Sequence, residues 1–126
     1  VEGKSSELLD KIFKTNKEII ISSQKNPNTS KFYNDSRINW LYCVPKYPCD
    51  LAELNFKDLE NFDGFSNHCP NIIAPLSASI LGAKIVEVHI TSDKSSDFLD
   101  NNVSFDYKEL VELVKQIRSY EKIKND

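Results

Sequence analysis

The sequence predicts an α/β fold with parallel strands, on three observations. Four short apolar runs alternate with helical stretches at a spacing of roughly 20–25 residues. The first of them, Glu18–Ser22, is nearly all apolar, as a strand in a helix-covered parallel sheet should be. The stretch Gly64–Thr91, GFSNHCPNIIAPLSASILGAKIVEVHIT, reads as strand, helix, strand. That is a βαβ unit, and its two strands must run parallel.

In chain order, Ser6–Lys14 places Leu8, Leu9, Ile12 and Phe13 on one helical face, and Thr15-Asn16-Lys17 breaks it. The strand Glu18–Ser22 follows. Gln24–Arg37 is polar, with Asn26-Pro27-Asn28 as turn chemistry and a short helix expected near Ser30–Asn34. Ile38–Val44 is the second strand, ended by the stiff Pro45-Lys46-Tyr47-Pro48 loop. Leu51–Phe62, with Leu54, Phe56, Leu59 and Phe62, reads as an irregular helix, and Gly64–Ser66 as a very short third strand. The helix Ile72–Leu81 tolerates Pro75 only in its first turn, and Gly82 closes it. Lys84–Ile90 is the fourth strand, and Asp93–Val103 a long polar loop. Asp106 with Glu109 makes a capping box before a helix whose apolar face is Leu110, Leu113, Val114 and Ile117. The tail Lys122–Asp126 is expected to fray.

The 126 residues suit one domain, 1–126, and a net charge of −3 with no Lys/Arg stripe argues against a nucleic-acid partner. No apolar run approaches the ~20 residues that span a bilayer, so no membrane partner is expected. The chain starts with Val and shows no signal peptide, which fits a processed or excised piece. Cys43, Cys49 and Cys69 form an odd set without C-x-x-C spacing. That fits reduced thiols in a cytoplasmic protein and gives no structural zinc site. There is no G-x-G-x-x-G, and a (β/α)₈ barrel needs about 250 residues, so this chain supplies roughly half of one.

In parallel α/β sheets the working residues gather at the C-terminal strand ends. Here these are Ser22 and Ser23, Cys43 with Tyr47 beyond it, Ser66 and His68, then Glu87 and His89. His68 and His89 are the two histidines of the chain and stand at equivalent places of one repeat. On neighbouring strands their imidazoles can converge as half of a divalent-cation site. The alternative for each is a hydrogen-bonded structural histidine, and for Cys69, beside His68, a small filler facing the other way in place of a further ligand. Glu87, two residues from His89, shares its side of the strand. It either orients a ligand histidine or contacts the cation, or else pairs with a basic residue elsewhere. Hydroxyls of Ser22 and Ser66 can hold a phosphate, and Asp100 sits in the long loop after the last strand.

The segments YCVPKYPCD (Tyr42–Asp50), GFSNHCP (Gly64–Pro70), LGAKIVEVHIT (Leu81–Thr91) and the loop through Asp100 to SFDYKEL (Ser104–Leu110) resemble the sialic acid synthase family. IIISSQ (Ile19–Gln24) is similar to the family's strand five. The resemblance runs in order over nearly the whole chain. It implies the second half, strands five to eight, of a (β/α)₈ barrel that condenses phosphoenolpyruvate with an N-acetylated amino sugar such as N-acetylmannosamine. Position by position it implies that His68 and His89 ligate Mn²⁺ or another divalent cation, and that Ser22 and Ser66 contact phosphoenolpyruvate. It further implies that Tyr47 and Asp100 lie at the amino-sugar site. Glu87, read from its strand-end position and not from the resemblance, is the candidate catalytic carboxylate. The chain departs from the family at Asn67, usually Asp, at Pro45, usually Ser or Asn, and at Ser23-Gln24-Lys25, usually Thr-Gly-Met.

Family members bind substrate phosphate with lysines from earlier strands, and carry a C-terminal antifreeze-like domain that lends an arginine across a dimer. Neither is present here, so the isolated chain is expected to be inactive and to need a missing half-barrel or a homo-oligomer. The alternative is a non-catalytic half-barrel that binds metal or a partner chain. Paired strand-end histidines alone also fit a different metal-dependent barrel, such as a hydrolase.

Overall fold

The computed structural model describes residues 6–124. Its elements run α1 (Ser6–Phe13), β1 (Ile19–Ser23), β2 (Ile38–Tyr42), β3 (Gly64–Ser66), α2 (Ile73–Ile80), β4 (Ile85–Glu87) and α3 (Tyr107–Lys124). The four strands form one sheet in the order β1-β2-β3-β4, every pair parallel. The expected α/β class with four parallel strands is therefore the observed one. Among the described residues β1 and β4 each have a single neighbour, so both edges of the sheet are open.

Three apolar clusters cover one face of the sheet. Ile19, Ile38 and Trp40 pack with Ile12 and Phe13 of α1. Tyr42, Val44, Leu59, Phe65, Ala74 and Ala78 pack between strands and α2. Leu76, Phe105 and Leu113 join α2 to α3. The other face is open at β1, where Ile20 is 53% exposed and Ser22 is exposed, while Leu41 and Ser66 further across the sheet are buried. Strand β1 is thus covered on one side only, where an all-apolar strand suggests cover on both.

Several boundaries differ from expectation, each for a visible reason. No helix forms at Ser30–Asn34; a 3₁₀ turn forms earlier, at Pro27–Thr29, because the Asn26 side chain accepts from the Asn28 N–H at 3.0 Å. Leu51–Phe62 is helical only in two short 3₁₀ pieces, Leu51–Glu53 and Phe56–Asn61, and not as one continuous helix. The first is closed by Asp50, whose N–H donates to the Glu53 carboxylate at 2.9 Å. Strand two ends at Tyr42 rather than Val44. Strand four stops at Glu87 rather than Ile90, because the chain changes partner there. Phe105 N–H donates to His89 O at 2.8 Å, and Ile90 bridges Phe105.

Helix α2 has Pro75 at its third residue, where no intrahelical N–H is required. It ends at Gly82, whose φ of +107° suits a residue without Cβ. The capping box of α3 is formed in both directions: Glu109 N–H to Asp106, and Asp106 N–H to Glu109, each 2.9 Å. Of its expected apolar face only Leu113 is buried; Val114 is exposed. On α1, Leu8 is exposed too. The last helix continues through Lys124 instead of fraying from Lys122, and Asn125 and Asp126 lie outside the described residues.

Candidate functional site

Register decides what meets at the C-terminal rim. Ser66 of β3 lies opposite Glu87 of β4, and the Asn67 N–H extends the ladder to Glu87 O at 2.9 Å. His68 and His89 each stand two residues beyond that pair, so both fall on the same side as Ser66 and Glu87. Their ring centres are 5.6 Å apart. Tyr47 reaches over from the loop after β2. It stacks on His68 at 4.0 Å and meets His89 edge-on at 5.7 Å. Three rings predicted from separate segments therefore form one cluster.

His68 is buried, and its ring is held at both nitrogens. Nδ1 lies 2.6 Å from Val44 O, and Nε2 lies 2.8 Å from the Tyr47 hydroxyl. A carbonyl only accepts, so in the neutral ring Nδ1 carries the hydrogen and Nε2 the lone pair. That is the tautomer a metal-ligating histidine adopts when its other nitrogen donates to a backbone carbonyl. Among the described residues no group of three or more His, Cys, Asp or Glu could enclose a metal. Two imidazoles alone could supply at most part of a divalent cation's shell.

Ser66 is buried and Glu87 exposed. The Ser66 hydroxyl donates to Glu87 Oε1 at 2.6 Å. Glu87 thus engages a serine, where the sequence suggested a histidine or a basic residue, and none of the ion pairs among the described residues includes it. The Cys43 thiol lies on the same floor. Burial pushes its pKa up, while the Ser22 hydroxyl beside it acts the other way.

Asp100 sits at φ +59°, half-buried, in the loop after β4. Together with Tyr47, Lys94, Ser96, Asp97 and Phe98 it lines a cleft of about 770 Å³. The structure therefore joins Tyr47 to both the histidine pair and the Asp100 loop, while Ser22, Ser66 and Glu87 lie lower on the same side of the sheet, around Cys43. Burial holds the Tyr47 phenol above its ordinary range, helped by the nearby acids Asp100 and Glu87 and the Cys43 thiol. The phenol is a donor at neutral pH.

Two contributors escaped the sequence reading. One is the Val44 carbonyl, a backbone group with no sequence signature. The other is Asn67, fully buried, whose Nδ2 donates to Cys69 O at 2.8 Å while its Oδ1 accepts from Cys69 N–H at 3.2 Å. This clamp spans His68 and sets the direction in which its ring leaves the chain. Asn bonding its own backbone two residues on is recognisable turn chemistry, so the signal was present.

Beneath the clamp, Cys49 and Cys69 are buried side by side in the apolar cluster. Burial, with the Cys49 thiol beside it, pushes Cys69 up to about 12. At pH 8 a thiol of that pKa is about one part in ten thousand thiolate. The folded chain is therefore expected to react slowly, if at all, with a thiol-exchange dye, and to expose three reactive thiols in urea. Rapid titration of Cys69 in the folded chain would contradict this packing.

No described helix is long and apolar enough to cross a membrane. The sequence profile described as the NeuB family matches residues 1–126. The chain is 31% identical over 135 residues to an N,N'-diacetyllegionaminic acid synthase of Campylobacter jejuni, covering 94% of this chain and 40% of that protein. It is 29% identical over 129 residues to the N-acetylneuraminate-9-phosphate synthase of Homo sapiens, covering 90% and 36%. The crystal structure of an N-acetylneuraminic acid synthetase from Leptospira borgpetersenii, in complex with citrate, superposes with a TM-score of 0.70 at 27% identity, over 85% of this chain and 42% of that one. The chain thus spans about two fifths of the length of the relatives it matches. Its four-stranded sheet is a partial barrel of that type.

Proposed function

The chain belongs to the NeuB family, and from that premise we propose that it forms strands five to eight of a nonulosonic acid synthase barrel. In a complete barrel it condenses phosphoenolpyruvate with an N-acetylated amino sugar such as N-acetylmannosamine. The observation that carries this reading is the ring cluster: His68 and His89, 5.6 Å apart on parallel neighbours, joined by Tyr47 to the cleft that contains Asp100.

In the reaction, the enol carbon of phosphoenolpyruvate bonds to the aldehyde carbon of the sugar, water adds at the neighbouring carbon, and phosphate leaves. His68 and His89 would hold Mn²⁺ or a similar divalent cation, which supplies Lewis-acid polarisation of the sugar aldehyde when bound. Tyr47 and Asp100 bind hydroxyl groups of the sugar in the cleft between them. Ser22 and Ser66 face phosphoenolpyruvate from the open side of the sheet. The Ser66 hydroxyl is engaged with Glu87, so a phosphate there needs cationic side chains from beyond the described residues to offset that carboxylate. The open edges of β1 and β4 fit the same conclusion, since a missing half-barrel would pair both.

The test joins this chain to the first half of a NeuB-family barrel and follows phosphate release from phosphoenolpyruvate with N-acetylmannosamine and Mn²⁺. Release should require both halves and fall by about 100-fold or more in His68→Ala and in His89→Ala. A folded, reconstituted barrel that releases no phosphate would replace this reading with the non-catalytic half-barrel.

A further inference from the structure

Tyr47 occupies an unusual position for a residue assigned to a sugar site, because its hydroxyl lies on a ring nitrogen of His68, 2.8 Å from Nε2. The opposite nitrogen is committed to Val44 O. A neutral imidazole has one lone pair, and it serves one partner at a time. The arrangement is also stiffly built. The Tyr47 ring stacks on His68 at 4.0 Å, Lys46 N–H donates to Val44 O at 2.8 Å, and Cys49 N–H donates to His68 O at 2.9 Å. Lys46 is pinned by Glu53 at 2.7 Å. Both ends of the short loop carrying Tyr47 are thus tied to the β2 and β3 chain ends.

We propose that Tyr47 is a built-in competitor of the divalent cation: in the cation-free chain its hydroxyl caps His68 Nε2, and the cation binds by displacing it. This rests on the reading of His68 as a cation ligand. Displacement frees the Tyr47 hydroxyl on the cleft that Tyr47 already lines beside Asp100. The sugar-site donor then becomes available when the cation is in place. The two sites are coupled through one hydroxyl, and linkage makes the coupling reciprocal: a ligand that takes up the hydroxyl also tightens cation binding.

Tyr47→Phe keeps the stacked ring and removes only the cap, so folding is not at stake at this half-exposed position. Two measurements on the full chain test the idea. In the metal-free protein, ¹⁵N NMR of the His68 ring should show Nε2 shifted in Tyr47→Phe while Nδ1 stays protonated. Calorimetric titration with Mn²⁺ alone should give about fivefold tighter binding in Tyr47→Phe, the effect of one lost hydrogen bond to a neutral group. An unchanged Nε2 signal overturns the cap. Equal or weaker Mn²⁺ binding by Tyr47→Phe, with the parent binding normally, overturns the competition and leaves the synthase reading standing. Absence of Mn²⁺ binding by both proteins removes the cation site itself, and the proposal with it.

Discussion

Gly64→Ala is expected to remove the cooperative fold. Gly64 lies in the middle of the sheet, opposite Leu41 of β2 and Ile85 of β4. A Cβ at this position would stand 2.1 Å from Ile85 O and 2.7 Å from Leu41 Cδ2. The first contact is with backbone that is itself in the β3–β4 ladder, so relief requires β4 to move away from β3. That movement would also part Ser66 from Glu87 and His68 from His89. Forcing one methyl group into a close-packed interior costs about 1–3 kcal/mol where side chains can yield. Against backbone the cost should exceed about 3 kcal/mol, a large share of the 5–15 kcal/mol typical of a domain. Urea unfolding followed by circular dichroism should show the midpoint collapse or the transition disappear. A midpoint close to the parent's would show that the strands do not approach as closely as Gly64 implies.

The same glycine shows how the sequence carried the fold. Gly64–Ser66 is found at its expected bounds, because a glycine flanked by apolar and turn residues leaves few other registers. The strand-helix-strand unit was legible from Gly82 and the alternating apolar runs, and it was enough to bring both histidines to one rim. What was not legible depended on partners distant in sequence. The fourth strand looked longer because Val88 and Ile90 continue its pattern, yet residues from 89 onward bond Phe105 instead of β3. Phe56, Leu59 and Phe62 were read as helical, but they recur every three residues, the period of the 3₁₀ turn that forms. Val114 and Leu8 belong to apolar stripes and remain exposed, because stripe position cannot say how much of a face has a neighbour to cover it. At the site, the residue types at strand ends pointed to His68 and His89, with Tyr47 just beyond a strand, and the resemblance to the family pointed to Asp100. The Val44 carbonyl emerges only with coordinates, since a backbone acceptor is common to every residue, whereas the Asn67 clamp is local turn chemistry whose signal went unused.

Asn67→Asp restores the acid usual in the family, and it is expected to destabilise this chain by about 2–4 kcal/mol at pH 7, the cost of buried polar groups left without partners. The amide satisfies Cys69 in both directions, donating to its carbonyl and accepting from its N–H, in a site with no solvent exposure. A carboxylate can accept but not donate, so one oxygen would face the Cys69 carbonyl with no hydrogen between them. Burial disfavours the charged form, and the new group's folded pKa rises above its unfolded value. The sign follows: the folded state then holds a proton that the unfolded state has released, so stability falls as pH rises through the window between the two values. The penalty is full above the folded pKa and relieved below the ordinary carboxylate value of about 4. There the protonated acid can donate to Cys69 as the amide did. Urea midpoints of parent and variant from pH 4 to 8 should therefore separate as pH rises. A gap independent of pH would mean that the new carboxylate finds a donor or reaches water. Asn67→Ala should open a constant gap instead, since it removes the clamp without adding a titrating group. Both variants act on His68 from beneath, because Asn67→Ala removes both bonds that bracket it and the charged form of Asn67→Asp removes the one to the Cys69 carbonyl.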